Sequence, residues 1–521
     1  MTHQIKSQRG WSRVDVILIA TGLSAAVFNF LLRKHVVIDD ADITFRYSWH
    51  LAHGYGLVFN PGQRVEGFTN MTWMLAMALA ILAHINVAYC SVYLGLLFGL
   101  GSEIVIWFIM REFEIARGKR FLAILALSAS SSFWLATTSG LETGFAAFLL
   151  SLIVLRAVKK KVTVFDGILG TLIFATRPEL VVLPILVIVL SWIGEVRSNL
   201  KPWTKALPIH YIEGFGTSLI LLEIFRVSYF GSLLPNTITA KSPPLTWTNL
   251  IDNSLAGLHY SIGYLWVAIL PLGCLALSAV PLIRRSLVWS LIPVLLGWLC
   301  VTALVNGGDW MPDERIFQVV TPVLFVAVGA VLDGKLVSFK RFSFKGPQPS
   351  EKRSRLMIGT AVVIVLSLVA FTQSKFQRPS LSVSPDSVQY QSLLNAEAPG
   401  ALNHLTIAPE AIGLICYDLI HTVCDDFLGL TDKTIAANGT IYQPTYGRED
   451  PRYTAEVLKP DLFITHSGLG HLRVLDYHGF IKNDYLIFFL PKVDLTLAIR
   501  KGVTPSTVIP RGWKIVSESL K

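Results

Sequence analysis

Apolar residues along this chain fall into long blocks. With soft ends these are 14–32, 71–85, 87–110, 121–136, 144–158, 163–176, 180–194, 207–228, 258–280, 286–305, 317–334 and 356–373. A bilayer core about 30 Å thick takes about 20 apolar residues of helix to cross. The pattern therefore predicts a polytopic α-helical membrane protein. After residue 373 the pattern changes. Short apolar runs, among them Leu405-Thr-Ile-Ala, Gly413-Leu-Ile-Cys-Tyr and Asp461-Leu-Phe-Ile-Thr, read as buried strands with helices or turns between them. About 150 residues can bury a core of their own. Residues 1–373 are thus expected to form the membrane domain, and 374–521 an α/β extracytoplasmic domain.

Composition supports the membrane reading: 52% of the residues are hydrophobic and 15% charged, against about 25% charged in soluble domains. The net charge of +10 would suggest nucleic acid in a soluble protein. Here the basic residues cluster between apolar blocks: Arg111 with Arg117-Gly-Lys-Arg120, Arg156 with Lys159 to Lys161, Arg197 with Lys201 and Lys205, Arg284-Arg285, and the run Lys335 to Arg355. That is the pattern of cytoplasmic loops. No aromatic-interleaved basic face accompanies it, which excludes nucleic-acid binding.

Lys6, Arg9 and Arg13 precede the first block, which is too long for a cleaved signal and carries no A-x-A site. It reads as a permanent anchor with a cytoplasmic N-terminus. The loop after it is then outside and the Arg111 cluster inside. Only one of 71–85 and 87–110 can cross, and the shorter is expected to be interfacial or re-entrant. About eleven spans result, with the C-terminus outside. The unusual polar segments then share the outer face: Asp39–Thr69, Thr137–Thr143, Thr176–Glu179, Tyr229–Lys241 and Asn306–Arg315.

Asp39, Asp40, Asp42 and Arg46 follow the first block directly. Ionised groups at a membrane face are costly unless they line a polar cavity or do chemistry. Asp39 and Asp40 are the candidates for a general base acting on a hydroxyl; the structural alternative is capping of a helix over 41–52. Asp39 is favoured as base, because Asp40 suits a cap or first-turn position. Arg46 can contact phosphate, or pair with Asp42 one turn away. Arg177 precedes helix-breaking Pro178 and calls for an anion, with Glu179 the structural alternative. Lys241 is a second candidate for lipid phosphate, its alternative a solvated loop lysine. Glu142 either caps the following helix or shapes an acceptor pocket. Asp309 and Trp310 offer a carboxylate and an indole, suited to sugar or simply to a tight turn. His35, His50 and His53 match no metal-ligand spacing. Cys90, Cys274 and Cys300 sit in apolar blocks; Cys416 and Cys424 form either a disulfide or two buried thiols on neighbouring strands.

Together these motifs resemble the GT-C glycosyltransferases, in particular the branch with actinobacterial terminal arabinofuranosyltransferases. The resemblance is carried by Asp39-Asp40-Ala41, Phe45-Arg46-Tyr47, Gly54 to Gly62, Val65-Glu-Gly-Phe-Thr69, Ser139-Gly-Leu-Glu142, Thr176-Arg-Pro178, Tyr229-Phe-Gly231, Leu234-Pro-Asn-Thr237, Gly307-Gly-Asp-Trp-Met-Pro312, Asp426-Phe-Leu-Gly-Leu430 and Pro460-Asp461. It implies an inverting transfer of a sugar from a polyprenyl-phosphate donor to a hydroxyl of an envelope glycan, on the outer side of a bacterial inner membrane. Asp39 or Asp40 would supply the base, and Arg177, Lys241 and Arg46 would hold the donor phosphate. Glu142, Asp309, Trp310, Asn236 and Glu66 would bind sugar or acceptor. No cofactor is required, and a divalent cation is allowed without being demanded. Thr69-Asn-Met-Thr-Trp73 departs from the usual Thr-Ser-Pro-Leu-Trp, and Asp42 stands where the family more often has an apolar or aromatic residue. The competing readings are a transporter or flippase for lipid-linked glycans and a non-catalytic assembly protein.

Overall fold

The computed structural model describes residues 12–32, 37–160, 162–197, 206–242, 247–311, 313–334, 404–443, 447–465, 469–490, 495–503 and 514–515. The expected span 356–373, the basic run 335–355, the domain boundary at 373 and His35 lie outside them.

The membrane part is helical: α1 Arg13–Leu31, α2 Asp39–Ala52, α3 Met71–Leu82, α4 Val87–Glu112, α5 Arg117–Ser128, α6 Ser131–Thr137, α7 Thr143–Val158, α8 Val164–Thr176, α9 Val182–Arg197, α10 Ile209–Phe230, α11 Asn236–Lys241, α12 Trp247–Val267, α13 Ile269–Arg285, α14 Leu291–Asn306, α15 Arg315–Gln318 and α16 Thr321–Asp333. Among the described residues four helices are long and apolar enough to cross a membrane, or up to six if each bent pair is one span. The block 71–85 becomes α3, 12 residues long and so about 18 Å, short of a crossing. The block 121–136 is bent by 63° between α5 and α6. The block 258–280 is two helices, α12 and α13, bent by 85° at Ala268.

The two ends of the helical body differ in chemistry. At one end ordinary ion pairs tie helix termini together: Arg117 to Asp15, Lys159 to Glu112, Arg156 to Asp166 and Arg285 to Glu114. At the other end the five polar segments meet. Ile38 N–H donates to the Ser139 carbonyl (3.1 Å), and the Trp73 indole to the Gly140 carbonyl (3.0 Å). Thr72 and Thr176 share a hydroxyl bond of 2.6 Å, and Asn236 N–H donates to the Glu66 carbonyl (2.8 Å).

Beyond residue 403 the described chain forms a six-stranded mixed sheet in the order β2-β1-β5-β7-β6-β8. Its strands are β1 Thr406–Pro409, β2 Val423–Cys424, β5 Leu462–Thr465, β6 Tyr485–Leu490, β7 Leu495–Arg500 and β8 Lys514–Ile515. A separate hairpin pairs β3 Thr440–Gln443 with β4 Gly447–Glu449. β1 runs parallel to β2 and β5, whereas β7 is antiparallel to β5 and β6. The α/β expectation is met, with one correction. Gly413-Leu-Ile-Cys-Tyr is not a strand; it opens a short helix, Leu414–Asp418. Its first backbone N–H groups are capped from outside, by Asp39. Cys416 on this helix is disulfide-bonded to Cys424 on β2.

That contact belongs to a seam between α2 and the sheet domain. Asp39 Oδ2 accepts from Gly413 N–H (3.1 Å), and Oδ1 from Leu414 N–H (2.8 Å). A Cβ on Gly413 would stand 1.8 Å from the Asp39 carbonyl oxygen, so only glycine fits there. Arg46, fully buried, donates to the carbonyls of Phe59 (2.7 Å), Thr422 (2.7 Å), Leu419 (3.4 Å) and Cys416, and to Asn60 Oδ1 (3.2 Å). Asn60 in turn brackets Cys424, donating to its carbonyl and accepting its N–H.

Candidate active site

A cavity of about 550 Å³ opens where the polar segments converge. One wall is polar: Asp40 and Thr44 from α2, Asn70 before α3, Glu142 before α7, Arg177 after α8, Lys241 from α11, Asp309 from the loop before α15 and Arg315 from the start of α15. The other is apolar, built on Phe174, Leu234, Ile238 and the stripe Trp298, Val301 and Val305 of α14. That stripe, at i, i+3 and i+7, is exposed, as is Leu234. The roof is Leu430 of the sheet domain. It is carried by a turn in which the Asp426 carboxylate accepts from Leu428 N–H, Thr431 N–H and the Thr431 hydroxyl. Gly67 lets the loop pass beneath, since a Cβ there would lie 2.5 Å from Thr431 Cγ2 and 2.7 Å from the Tyr47 hydroxyl.

Charge in the polar wall is arranged around Glu142. Its Oε1 lies 3.5 Å from Arg177 Nη1 and 3.6 Å from Arg315 Nη1. Each arginine also has its own carboxylate. Arg177 Nε donates to Glu179 (2.6 Å), and Arg315 holds Asp309 through Nε (3.1 Å) and Nη2 (3.0 Å). Arg177 Nη1 is buried and makes no hydrogen bond, its near partner being the Glu142 carboxylate at 3.5 Å. Burial alone would raise the Asp309 pKa; Arg315, Lys241 and Arg177 together hold it below the usual carboxylate range. Lys241 Nζ stands 3.6 Å from Asp40 Oδ2. Arg177 itself is in extended conformation (φ −150°, ψ 102°) between α8 and the turn begun by Pro178. The proline thus ends α8 and leaves the guanidinium at the cavity.

No family model matches the chain. In sequence it is 27% identical over 273 residues to a terminal β-(1→2)-arabinofuranosyltransferase of Corynebacterium glutamicum, covering 45% of this chain and 38% of that protein. It is 27% identical over 295 residues to a terminal β-(1→2)-arabinofuranosyltransferase of Mycobacterium tuberculosis, covering 51% and 45%. The chain therefore spans less than half the length of the curated relatives it matches. In structure it is similar to ArnT from Cupriavidus metallidurans in the apo state, at a TM-score of 0.54 and 11% identity over 95% of this chain and 99% of that one. The chain has the GT-C fold. The apo oligosaccharyltransferase of Archaeoglobus fulgidus is also similar in fold, at a TM-score of 0.50 and 12% identity over 96% of this chain and 76% of that one.

Within this GT-C fold the sequence-predicted residues divide. Asp40, Arg177, Lys241, Glu142 and Asp309 line the cavity. Asp39 is turned from it to the sheet domain, and burial raises its pKa to about 6 against its two backbone bonds. Of the two adjacent aspartates, Asp40 is the one that lines the cavity. Arg46 is a correction: its donors are consumed by carbonyls at the seam, and it pairs with main chain, not with Asp42 or a cavity anion. Asn236 is another, since its amide donates to the carbonyls of Gly429, Leu430 and Asp432 beneath the roof. Glu66 is ion-paired with buried Arg226 at 3.2 Å, and Trp310 packs against an apolar cluster that includes Trp73, Phe45 and Met77. Glu142 makes no cap bond to α7, so the capping alternative falls. Arg315, Asn70 and Thr44 were missed as site residues. Arg315 ends a segment the sequence had singled out, but only the tertiary fold shows it half-buried between Glu142 and Asp309. Among the described residues no group of three or more His, Cys, Asp or Glu is arranged to hold a metal ion.

Proposed function

We propose that this chain is a membrane glycosyltransferase that moves a sugar from a polyprenyl-phosphate donor to a hydroxyl of an envelope glycan, on the outer side of a bacterial inner membrane. The observation that carries the proposal is a cavity in which four carboxylates, Asp40, Glu142, Glu179 and Asp309, stand among three cations, Arg177, Arg315 and Lys241, across from an apolar wall that includes the stripe of α14. A lipid phosphate needs both: cations for the phosphate and an apolar route for its chain. The basic clusters at the opposite end support a cytoplasmic assignment for that end.

Asp40 accepts the proton of the acceptor hydroxyl as its oxygen attacks the anomeric carbon. The bond from that carbon to the phosphate oxygen breaks, and polyprenyl phosphate leaves with the negative charge. Arg177, Arg315 and Lys241 stabilise that charge as it develops. One displacement inverts the anomeric centre. Lys241 pairs with Asp40 before the donor arrives and turns to the phosphate afterwards. The transfer as written needs no cofactor and leaves room for a divalent cation.

The test is release of polyprenyl phosphate and glycosylation of an added acceptor by the protein in liposomes, read by mass spectrometry. The names of the relatives make a polyprenyl-phosphate arabinofuranose the first donor to try. Turnover by the wild type and its loss in Asp40→Asn support the proposal. A folded wild type that transfers no sugar from any polyprenyl-phosphate donor, yet moves lipid-linked glycan across the bilayer, replaces it with the transporter reading.

A further inference from the structure

Two helix N-caps in the cavity wall carry side chains that do not cap. Asn70 precedes α3 and Glu142 precedes α7, and neither side chain bonds its own helix. Asn is among the best N-cap residues, so its amide has been diverted. Asn70 Nδ2 donates to Glu142 Oε2 at 2.8 Å, and Asn70 Oδ1 accepts from the Thr44 hydroxyl at 3.2 Å. All three side chains are buried. The other oxygen of Glu142, Oε1, is the one between Arg177 and Arg315. Both arginines already have private carboxylates, Glu179 and Asp309. Glu142 is therefore not needed merely to neutralise them. A single oxygen at nearly equal distance from two guanidinium groups sets the spacing between them.

We infer that Thr44, Asn70 and Glu142 are positioning residues. They form a relay that fixes where Arg177 and Arg315 stand relative to α2. Thr44 lies four residues after Asp40, on the same face of the helix, so the relay couples the helix bearing the base to the cations that meet the phosphate. The inference rests on the proposed role of these arginines as phosphate holders. It makes residue 70, where this chain departs from Thr-Ser-Pro-Leu-Trp, a determinant of how the donor phosphate is seated. A small displacement of such groups is costly, since about 1 Å of misplacement can lower a rate about 100-fold.

The experiment measures binding of a polyprenyl monophosphate to the purified full chain in detergent, with donor KM, acceptor KM and kcat, for wild type, Asn70→Ala, Thr44→Val and Thr44→Ser. Asn70→Ala is expected to weaken monophosphate binding about 10-fold, equal to about 1.4 kcal/mol, and to raise the donor KM with the acceptor KM unchanged. Thr44→Val is expected to do the same more weakly, and Thr44→Ser, which keeps the hydroxyl, to recover most of the loss. If Asn70→Ala does not fold, the Thr44→Val and Thr44→Ser pair carries the test. Monophosphate affinity unchanged in Asn70→Ala and Thr44→Val, with only the thermal midpoint lowered, overturns the inference. So does a rise confined to the acceptor KM, which marks direct acceptor contact. A wild type that binds no polyprenyl monophosphate overturns the donor reading instead.

Discussion

The two faces of α2 hold the same kinds of side chain and use them in opposite ways. Asp40 and Thr44 face the cavity, whereas Asp39 and Arg46 face the sheet domain. Neighbouring residues on a helix point about 100° apart, which is enough to give adjacent aspartates separate tasks. On the seam face nearly every polar contact is to main chain: Asp39 to two N–H groups, Arg46 to four carbonyls. Main-chain partners are always present and fix the register of two domains. On the cavity face the ions meet one another, Lys241 with Asp40 and Glu142 with two arginines. Such partners can be exchanged for a ligand. A charged motif is therefore structural when its partners are backbone and available for chemistry when its partners are other side chains around open space.

The adjacent aspartates give the sharpest way to break this comparison. Asp40→Asn should lower turnover roughly 10²- to 10⁴-fold, the usual worth of a general base, with the thermal midpoint little changed. Asp39→Asn should keep measurable turnover and lower the midpoint, because the amide nitrogen turns a donor toward the N–H of Gly413 or Leu414 and leaves that buried group without an acceptor. Initial rates and melting curves on the same preparations decide it. A dead Asp39→Asn of wild-type stability beside an active Asp40→Asn would exchange the two roles.

Arg46→Met should cost about 3 kcal/mol or more in unfolding free energy, since several buried carbonyls lose their donor at once. Limited proteolysis should then release the sheet domain, while the intact fraction keeps its donor KM. Arg315→Ala should do the reverse. It should raise the donor KM about 10-fold, as one charge-assisted contact is lost, with less effect on the melting midpoint than Arg46→Met. Equal behaviour of the two variants would erase the distinction between seam and cavity.

The sequence makes the polar segments and their convergence legible, because charge asymmetry and the length of apolar blocks are local properties. Pro178 likewise announces the end of α8 and the placing of Arg177. What it does not carry is the partner of each charged group. Asp39 bonds to residues 374 and 375 positions away, and Arg46 to Thr422, 376 positions away. No local pattern tells them from Asp40 and Lys241. Asn236 and Trp310 read as ligand contacts for the same reason, since their partners are a distant turn and an apolar cluster. The 85° bend at Ala268 is hidden too, because apolar residues continue through it.

The smallest expected effect, a pH dependence of stability, separates the faces without a mutation in the cavity. Burial raises the pKa of Asp39 and Asp418 to about 6, and of Asp42 in the same direction, on the seam side. In the sheet domain burial raises Asp426 to about 6 and Asp425 to about 7, and in the loop it raises Glu66 to about 7. A carboxyl whose pKa is higher folded than unfolded holds more protons in the folded state between the two values. Its contribution is therefore complete at low pH and is lost as pH rises through the folded pKa. His50 opposes this. Burial and then Arg46 lower its pKa to about 4, so its contribution grows with pH up to the unfolded value. The carboxyls outnumber it. The thermal midpoint of the purified protein should fall as pH rises from about 4.5 to 7.5, and the fall should be shallower in Asp39→Asn. Cavity-side Asp309, held low by its arginines and Lys241, stays ionised throughout and contributes no slope there. A midpoint that climbs over this window would mean that the seam carboxyls ionise without cost, and that the seam is held by charge as the cavity is.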